Sequence, residues 1–310
     1  MQALRWLWAR PLYLVWTAPL LWATNITMGR AVATTFSPVT LTLLRWIIAM
    51  AVLLPFIWPR VRAQMPVLLR HWKLIGLTGA LGMAGYSALA YLALRTTTAA
   101  NVAFINSIVP LLVPLFMYFI AREPLPARAY AGIAVSFCGV GWIIARGDPA
   151  NLLHLSFARG DLITLLAVAM YALYSVLIRK KPRELDLLVY LFGGMIGAIV
   201  SLLPFVALEL ALGAHIPADA RSLAALLYIG VVISLGAYLM WNYCVVSLGP
   251  GVTGPAYHLV AVFTPIVAYL FLDESLMGYH YAGIALILTG VFIATRPRKQ
   301  TRAATIKPAA

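Results

Sequence analysis

The chain alternates between long apolar runs and short segments that carry charge, proline or glycine. A helix needs about 20 apolar residues to cross the hydrocarbon core of a bilayer, and ten runs approach or reach that length. They span residues 12–34, 38–58, 72–92, 98–120, 127–146, 159–179, 186–208, 222–247, 252–271 and 279–295. The strands of a membrane β-barrel would be about ten residues long and would alternate in polarity. The pattern therefore predicts an all-α polytopic membrane protein with ten transmembrane helices.

The composition supports this class. Of 310 residues, 63% are hydrophobic and 10% are charged, and the mean hydropathy is +0.92. Soluble domains are about 45–50% apolar and about 25% charged, so a soluble enzyme, a disordered protein and a disulfide-stapled secreted module are excluded. Cys138 and Cys244 both lie inside apolar runs, which predicts buried structural thiols. No motif indicates a cofactor or a metal site.

The basic charges indicate an orientation in the membrane. The net charge is +14, which in a soluble protein would suggest nucleic acid as a partner. In membrane proteins Lys and Arg gather in cytoplasmic loops. With the N-terminus placed in the cytoplasm, seventeen of the 23 Lys and Arg residues fall on the inner side and five on the outer side. We therefore predict cytoplasmic termini, a basic cytoplasmic tail at 297–310, and contact with membrane lipid rather than nucleic acid.

The two halves of the chain are similar to each other. Leu53-Leu54-Pro55-Phe56 recurs as Leu202-Leu203-Pro204-Phe205, and Tyr130-Ala131-Gly132-Ile133-Ala134 recurs as Tyr281-Ala282-Gly283-Ile284-Ala285. This predicts one five-helix repeat at 1–148 and a second at 149–296. Since five is odd, two tandem copies must have opposite orientations in the membrane. Inverted repeats are characteristic of secondary transporters, whose substrate site lies between the repeats.

Both halves also carry the same order of motifs. Prolines precede an apolar stretch, a Glu-x-Leu motif and a last helix that begins with Tyr-Ala-Gly. The carrying residues are Pro110, Pro114, Glu123-Pro124-Leu125 and Tyr130-Ala131-Gly132, then Pro265, Glu274-Ser275-Leu276 and Tyr281-Ala282-Gly283. Over nearly its whole length the chain resembles the EamA-type exporters of the drug/metabolite transporter (DMT) superfamily, and within them the YddG-type exporters of aromatic and other neutral amino acids. The resemblance implies a protein of the bacterial inner membrane that exports such metabolites by alternating access.

The same sequence offers candidate substrate-binding residues. Pro110, Pro114, Pro255 and Pro265 break the fourth and ninth helices at matching positions, and interrupted helices of this kind point to a transport site. Polar and aromatic side chains near mid-span, several of them three or four positions apart, share helix faces. Each could line a cavity or instead bond a neighbouring helix. The candidates are Trp22, Asn25, Tyr86, Asn101, Asn106, Tyr171, Tyr174, Tyr238, Trp241, Asn242 and His258.

Charged residues inside the spans are scarce, and this limits the mechanism. None of the nine acidic residues falls at mid-span, where proton- and sodium-coupled carriers usually hold a carboxylate. We therefore predict a facilitator or exchanger, with His258 as the only proton site that suits coupling. Arg45 and Arg95 could anchor loops or could attract a substrate carboxylate at the outer mouth.

Other functions and assembly states stay open. An exporter of a nucleobase or a drug-like cation, and less readily a channel, are the alternatives, while no catalytic motif suggests an enzyme. Small residues at Gly76, Ala80, Ala84 and Ala88, and at Gly193 and Gly197, predict close helix packing. They suit helix contacts in a monomer or the interface of a homodimer.

Overall fold

A computed structural model describes residues 11–32, 35–97, 102, 105–122, 125–154, 159–217, 219–272 and 277–295. Within these ranges every regular element is helical. The first half contains α1 (Pro11–Val32), α2 (Pro38–Arg70), α3 (Trp72–Ala93), α4 (Val109–Ala121) and α5 (Ala127–Ile144). The second contains α6 (Arg159–Lys180), α7 (Leu187–Ala211), α8 (Ala220–Leu248), α9 (Pro250–Ala256 and Leu259–Leu272) and α10 (Gly278–Thr295). A short 3-10 helix, Pro149–His154, joins the halves.

The described helices suit a membrane. Among them α2, α3, α6, α7 and α8 are long and apolar enough to cross a bilayer, and α4, α5 and α10 are shorter but apolar. Large apolar side chains face outward, including Phe56 at 79% exposure and Leu162 at 72%, which suits contact with lipid. Cys244 is buried as predicted, but Cys138 is exposed, so its predicted burial was wrong. Hydropathy shows that a residue is in a span but not which side of the helix it occupies.

The predicted end of the second span was also wrong. The run 38–58 ends at prolines and arginines, yet α2 continues to Arg70 through Pro55, Pro59 and Pro66. Ile57, Val61 and Leu68 stay buried along the extension, and the Arg60 guanidinium lies 3.6 Å from the Asp186 carboxylate at the start of α7. Packing against α7 therefore offsets the hydrogen bonds that the prolines remove.

Helix contacts follow a two-fold pattern between the halves. The helix α2 packs against its counterpart α7, and α5 packs against its counterpart α10. Two further sets of contacts are matched between the halves. The helix α1 contacts α9 as α6 contacts α4, and α8 contacts α1 as α3 contacts α6. This reciprocity is what two copies of one repeat produce when they pack around a pseudo-two-fold axis.

Glycines permit the closest of these contacts. A Cβ on Gly132 of α5 would lie 2.4 Å from the Gly290 carbonyl oxygen of α10, and one on Gly290 would lie 2.5 Å from the Gly132 oxygen. Gly139 of α5 and Gly283 of α10 form a second contact of the same kind, in which an added Cβ would lie 2.8 or 2.9 Å from the other residue's carbonyl oxygen. Only residues without a side chain allow the two backbones to approach this closely, as in other membrane helix pairs.

The predicted small-residue stripes of α3 and α7 pack against each other within the chain. A Cβ on Gly197 of α7 would lie 2.6 Å from the Cα atom of Gly76, and Gly79 lies against the Gly194 backbone. The prediction of close helix packing is therefore confirmed. Of the predicted residues, Gly76 and Gly197 contact each other inside one chain.

The two ends of the α2–α7 pair are held by carboxylates. At one end the Glu209 carboxylate accepts hydrogen bonds from the Val39 and Thr40 amides, at 3.1 and 2.8 Å, and from the Thr40 hydroxyl at 2.8 Å. At the other end Asp186 caps α7 by accepting from the Leu188 amide at 2.8 Å. A carboxylate at a helix N-terminus is favourable because the first amides lack partners and the helix dipole is positive there.

Two charged groups in the loops have shifted pKa values. The hydroxyl and amide of Ser222 bond the Asp219 carboxyl, which caps α8, and these bonds hold its pKa below the usual range. Partial burial lowers the pKa of the Lys181 ammonium, which donates to the Pro182 and Leu185 carbonyls. The bonds of Asp219 favour the charged form, whereas the burial of Lys181 opposes it.

Candidate substrate site

Seven aromatic side chains from both halves meet between α1, α3, α6, α8 and α9. We call this set the aromatic cluster. Trp22 comes from α1, Tyr257 from the turn between the two segments of α9, and the others from mid-helix positions. The members are Trp22, Tyr86, Tyr171, Tyr174, Tyr238, Trp241 and Tyr257.

Trp22 lies at the centre of the cluster. Its ring centroid is 5.1 Å from that of Trp241, 5.7 Å from Tyr257, 6.1 Å from Tyr238 and 6.2 Å from Tyr171. These separations and the tilted or edge-on ring planes are those that aromatic pairs prefer. Trp22 and Tyr86 are only partly buried, unlike Tyr171 and Trp241.

Hydrogen bonds hold several members in place. The Tyr86 and Tyr257 hydroxyl oxygens are 3.0 Å apart, and the Tyr86 hydroxyl donates to the Asn106 side-chain oxygen at 3.4 Å. The Tyr174 hydroxyl donates to the Asn242 side-chain oxygen, and the Asn242 amide donates to the Tyr238 carbonyl at 2.7 Å. Asn106 and Asn242 thus orient tyrosines of the cluster.

A π-helical segment in α3 contributes backbone acceptors to the site. Within Gly79–Gly85, the Gly82 carbonyl accepts from the Tyr238 hydroxyl at 2.6 Å and the Met83 carbonyl accepts from the Trp46 indole at 2.8 Å. A second π-helical segment, Ile229–Ala237, occupies the corresponding part of α8. Single π turns are frequent at functional sites because they change which backbone groups are available for bonding.

Some buried polar atoms of the cluster have no partner among the described residues. These are the Tyr171 hydroxyl and the Trp241 indole nitrogen. Leaving such a group unsatisfied costs about 1–3 kcal/mol. Both residues border a small cavity between the halves, with a volume of about 10 Å³. The other lining residues are Val109, Val113, Ser175, Val245, Thr253, Gly254 and Tyr257.

The turns in α4 and α9 lie next to this cavity. Residues 107–108 and 257–258 both form turns, and the buried His258 places its Nε2 2.9 Å from the Ser107 carbonyl oxygen. A carbonyl only accepts, so this bond requires the proton on Nε2. The other ring nitrogen, Nδ1, is buried without a partner in the described part of the chain.

The structure brings most of the predicted site residues together, although their role in binding stays a prediction. Trp22, Tyr86, Tyr171, Tyr174, Tyr238 and Trp241 are in the aromatic cluster, with Asn106, Asn242 and His258 bonded at its edge. Asn25 instead accepts from the Tyr91 hydroxyl at 3.4 Å. Asn101 lies outside the described residues. Within the described ranges no three His, Cys, Asp or Glu side chains gather to hold a metal ion.

Three features of the site were not predicted from the sequence. Tyr257 was not among the predicted site residues, although its position in the repeat corresponds to that of Asn106. Trp46 was not predicted as a site residue either, yet its ring centroid is 4.9 Å from that of Tyr238. The glycines of Gly79–Gly85 and the small residues of Ile229–Ala237 are the only sequence signals for the π-helical segments, and of these segments only Ala80 and Ala84 were considered, as packing residues.

Comparison with known proteins identifies the family. The model of the EamA-like transporter family matches residues 10–145 and 158–296. The chain belongs to the EamA-like transporter family. It is therefore a multi-pass membrane transporter rather than an enzyme, and its two EamA domains give it a repeat architecture.

Related family members cover much of the chain. An uncharacterized transporter of Archaeoglobus fulgidus is 26% identical over 91% of this chain and 96% of its own length. The uncharacterized transporter YyaM of Bacillus subtilis is 27% identical over 70% of this chain and 71% of its own length. A probable amino-acid metabolite efflux pump of Escherichia coli is 26% identical over 56% of this chain and 60% of its own length.

A solved crystal structure has the same fold as this EamA-family chain. The TM-score is 0.72 at 20% sequence identity, with 93% of this chain and 96% of the other covered. At this identity the likeness shows the fold alone.

Proposed function

We propose that this EamA transporter exports small neutral amino acids, including aromatic ones, from the cytoplasm through the site formed by the aromatic cluster. The observation that carries the proposal is the cluster itself, in which the Tyr171 hydroxyl and the Trp241 indole have no partner among the described residues and lie beside a cavity between the halves. Aromatic walls give an apolar side chain a large contact area, and the two free polar groups can bond a polar backbone.

The cluster also suits the ammonium group of an amino acid. Trp and Tyr faces attract cations within about 6 Å of the ring centroid, and Trp22 presents a partly exposed ring. The name of the Escherichia coli relative, a probable amino-acid metabolite efflux pump, supports the same substrate class. A cation exporter would be expected to place a carboxylate in the site, and in the described part of the chain none lies among the cluster.

We further infer that the two halves have opposite orientations and exchange roles in an alternating-access cycle. The odd number of helices in each half and the surplus of basic residues on one side support this orientation, with both termini in the cytoplasm. The reciprocal helix contacts support the exchange, because the same interfaces recur on both sides of the pseudo-two-fold axis. We also propose a localisation in the bacterial inner membrane, which the resemblance to the EamA-type exporters implies.

The mechanism we propose is facilitated diffusion or exchange rather than proton coupling. Among the described acidic residues, Asp161, Asp186, Glu209 and Asp219 lie at helix ends and are bonded there. His258 is bonded to the backbone, which suits a role in joining α4 and α9. Substrate would then move down its own gradient.

Uptake into proteoliposomes tests the proposal. A panel of twenty amino acids, run with and without a pH gradient, should show uptake of aromatic and other neutral amino acids at rates that the gradient does not change. Trp241→Ala should reduce uptake at least tenfold, whereas Trp58→Ala, which alters an indole that is 52% exposed on the outside of α2, should not. Uptake of none of the twenty, or acceleration by the gradient, would contradict the substrate class or the mechanism respectively.

Cysteine labelling tests the orientation. In a background with Cys138→Ser and Cys244→Ser, a membrane-impermeant thiol reagent applied to intact cells should label His215→Cys, between α7 and α8. It should label Glu184→Cys, between α6 and α7, only after the cells are opened. The reverse result would invert the topology.

A further inference from the structure

An arginine is buried inside the described helices without an acidic partner there. Arg45 is 3% exposed, eight residues into α2. Its Nε donates to the Ser234 hydroxyl at 2.5 Å and its Nη1 donates to the Tyr91 hydroxyl at 3.1 Å. The guanidinium carbon also lies 5.5 Å from the Trp46 ring centroid and 5.9 Å from that of Tyr91.

These neutral partners compensate the charge only in part. Arg stays protonated in proteins, and a buried cation without an opposite charge is costly. Within the described ranges the one ion pair joins Arg60 to Asp186, far along α2 from Arg45. Asp161 bonds Thr97 and Glu209 bonds the start of α2. Ionisable groups inside a membrane protein are retained mostly where they serve a function.

The surroundings of Arg45 connect it to the aromatic cluster. Trp46, the next residue, packs edge-on against Tyr238 with ring centroids 4.9 Å apart. The Tyr91 hydroxyl, which accepts from Arg45, lies 3.4 Å from the Asn25 side-chain oxygen, one turn beyond Trp22 on α1. Ser234 belongs to the π-helical segment Ile229–Ala237 of α8. Arg45 and the polar side chains around it therefore come from four helices, α1, α2, α3 and α8.

Arg45 lies between the cluster and the end of the protein where α2 begins. Arg45 lies seven positions after Pro38, which is about 10 Å of helix at 1.5 Å per residue. In the proposed orientation this is the outer end. An anionic group that leaves the cluster outward would therefore meet the guanidinium.

We propose that Arg45, supported by Tyr91 and Ser234, binds the carboxylate of the transported molecule on the outer side of the aromatic cluster. The inference rests on the proposed function and narrows it, because it requires a free carboxylate on the substrate. A guanidinium binds carboxylates through parallel charge-assisted hydrogen bonds, which an amide or an amine does not form. Arg95 differs, since it is exposed and donates to the Phe36 carbonyl at 3.4 Å, so it anchors the α3 end to the start of α2.

The test compares phenylalanine with one ligand that lacks the carboxylate and one that lacks the ammonium group. Uptake into proteoliposomes is measured for phenylalanine, phenylalaninamide and 3-phenylpropanoate, each alone and in competition with the others. For the wild-type protein we expect phenylalanine and 3-phenylpropanoate to compete, and phenylalaninamide to compete at least tenfold more weakly. Arg45→Gln should raise the half-saturating concentration of phenylalanine at least tenfold, Arg45→Lys should raise it less, and Arg95→Gln should leave it unchanged.

The outcomes separate this inference from the proposed function. Equal competition by phenylalaninamide in the wild-type protein, or an unchanged half-saturating concentration in a folded Arg45→Gln protein, would overturn the role of Arg45 while amino-acid export stands. Arg45-dependent uptake of 3-phenylpropanoate without uptake of any amino acid would overturn the proposed substrate and support the carboxylate site. If Arg45→Gln does not fold, the wild-type comparison of acid and amide decides.

Discussion

His258 and Ser107 occupy corresponding positions of the two halves, 151 residues apart, and the His258 Nε2 donates to the Ser107 carbonyl oxygen at 2.9 Å. The Ser136 hydroxyl bonds the Ile287 carbonyl at 3.3 Å across the same separation of 151. Corresponding residues can meet only near the axis that relates the two copies. The His258–Ser107 bond therefore joins the turns of α4 and α9 at the pseudo-two-fold axis, directly beside the cavity.

Loss of the His258 imidazole should weaken this junction. We expect His258→Ala to lower the free energy of unfolding by about 0.5–1.5 kcal/mol, because the hydrogen bond from the imidazole to the Ser107 carbonyl is lost. Thermal unfolding in detergent measures the change. His215→Ala, in the exposed loop between α7 and α8, is the control and should unfold like the wild type. Equal unfolding temperatures for both variants would show that the bond contributes little.

Two neighbouring tyrosines of α6 should separate substrate binding from stability. Tyr171→Phe removes a buried hydroxyl that has no partner among the described residues, so we expect unchanged or higher stability and several-fold weaker substrate binding. Tyr174→Phe removes the donor to Asn242, so it should lower stability by about 1–3 kcal/mol. Unfolding curves and uptake assays on both variants check this, and a Tyr171→Phe protein with normal uptake would remove that hydroxyl from the site.

The glycines between α5 and α10 should not tolerate a methyl group. Gly132→Ala places a Cβ 2.4 Å from the Gly290 oxygen, so the helices must separate, at a cost of about 1–3 kcal/mol for overpacking. Gly141→Ala is the matched control on the same helix, because its Cβ would meet nothing within 4 Å. Size-exclusion profiles and unfolding temperatures should show loss of folded protein for Gly132→Ala alone. Similar profiles for both variants would mean that α5 and α10 separate without cost.

The Glu209 carboxylate should contribute to stability through its bonds to the start of α2. Glu209→Gln replaces the charged acceptor of three hydrogen bonds by a neutral amide. A hydrogen bond to a charged group contributes about 1.5–3 kcal/mol to stability. We expect a lower unfolding temperature for Glu209→Gln and no change for Glu184→Gln, an exposed residue of the α6–α7 loop. An unchanged Glu209→Gln protein would show that Thr40 and Val39 find other partners.

Local pattern explains which parts of the fold could be predicted. The apolar runs anticipated most helix bounds within a few residues, because a helix that crosses lipid must satisfy its backbone internally and be apolar along its length. The predicted end of the second span was wrong because the extension of α2 to Arg70 depends on packing against α7 and not on the hydropathy of the segment itself. The split of α9 at Tyr257 follows Pro255, but the exposure of Cys138 depends on how α5 is turned.

By itself, the sequence determined the membrane class, the helical spans and the division into two similar halves, because hydropathy, charge and repeats are recorded residue by residue. Only the tertiary structure decided that Trp22, Tyr171 and Trp241 meet in one cluster and that His258 bonds Ser107. It also decided that Arg45 is buried among hydroxyls and rings, with no carboxylate beside it in the described ranges. These relationships join segments that are distant in the chain, and they arise when the two halves pack around a common axis.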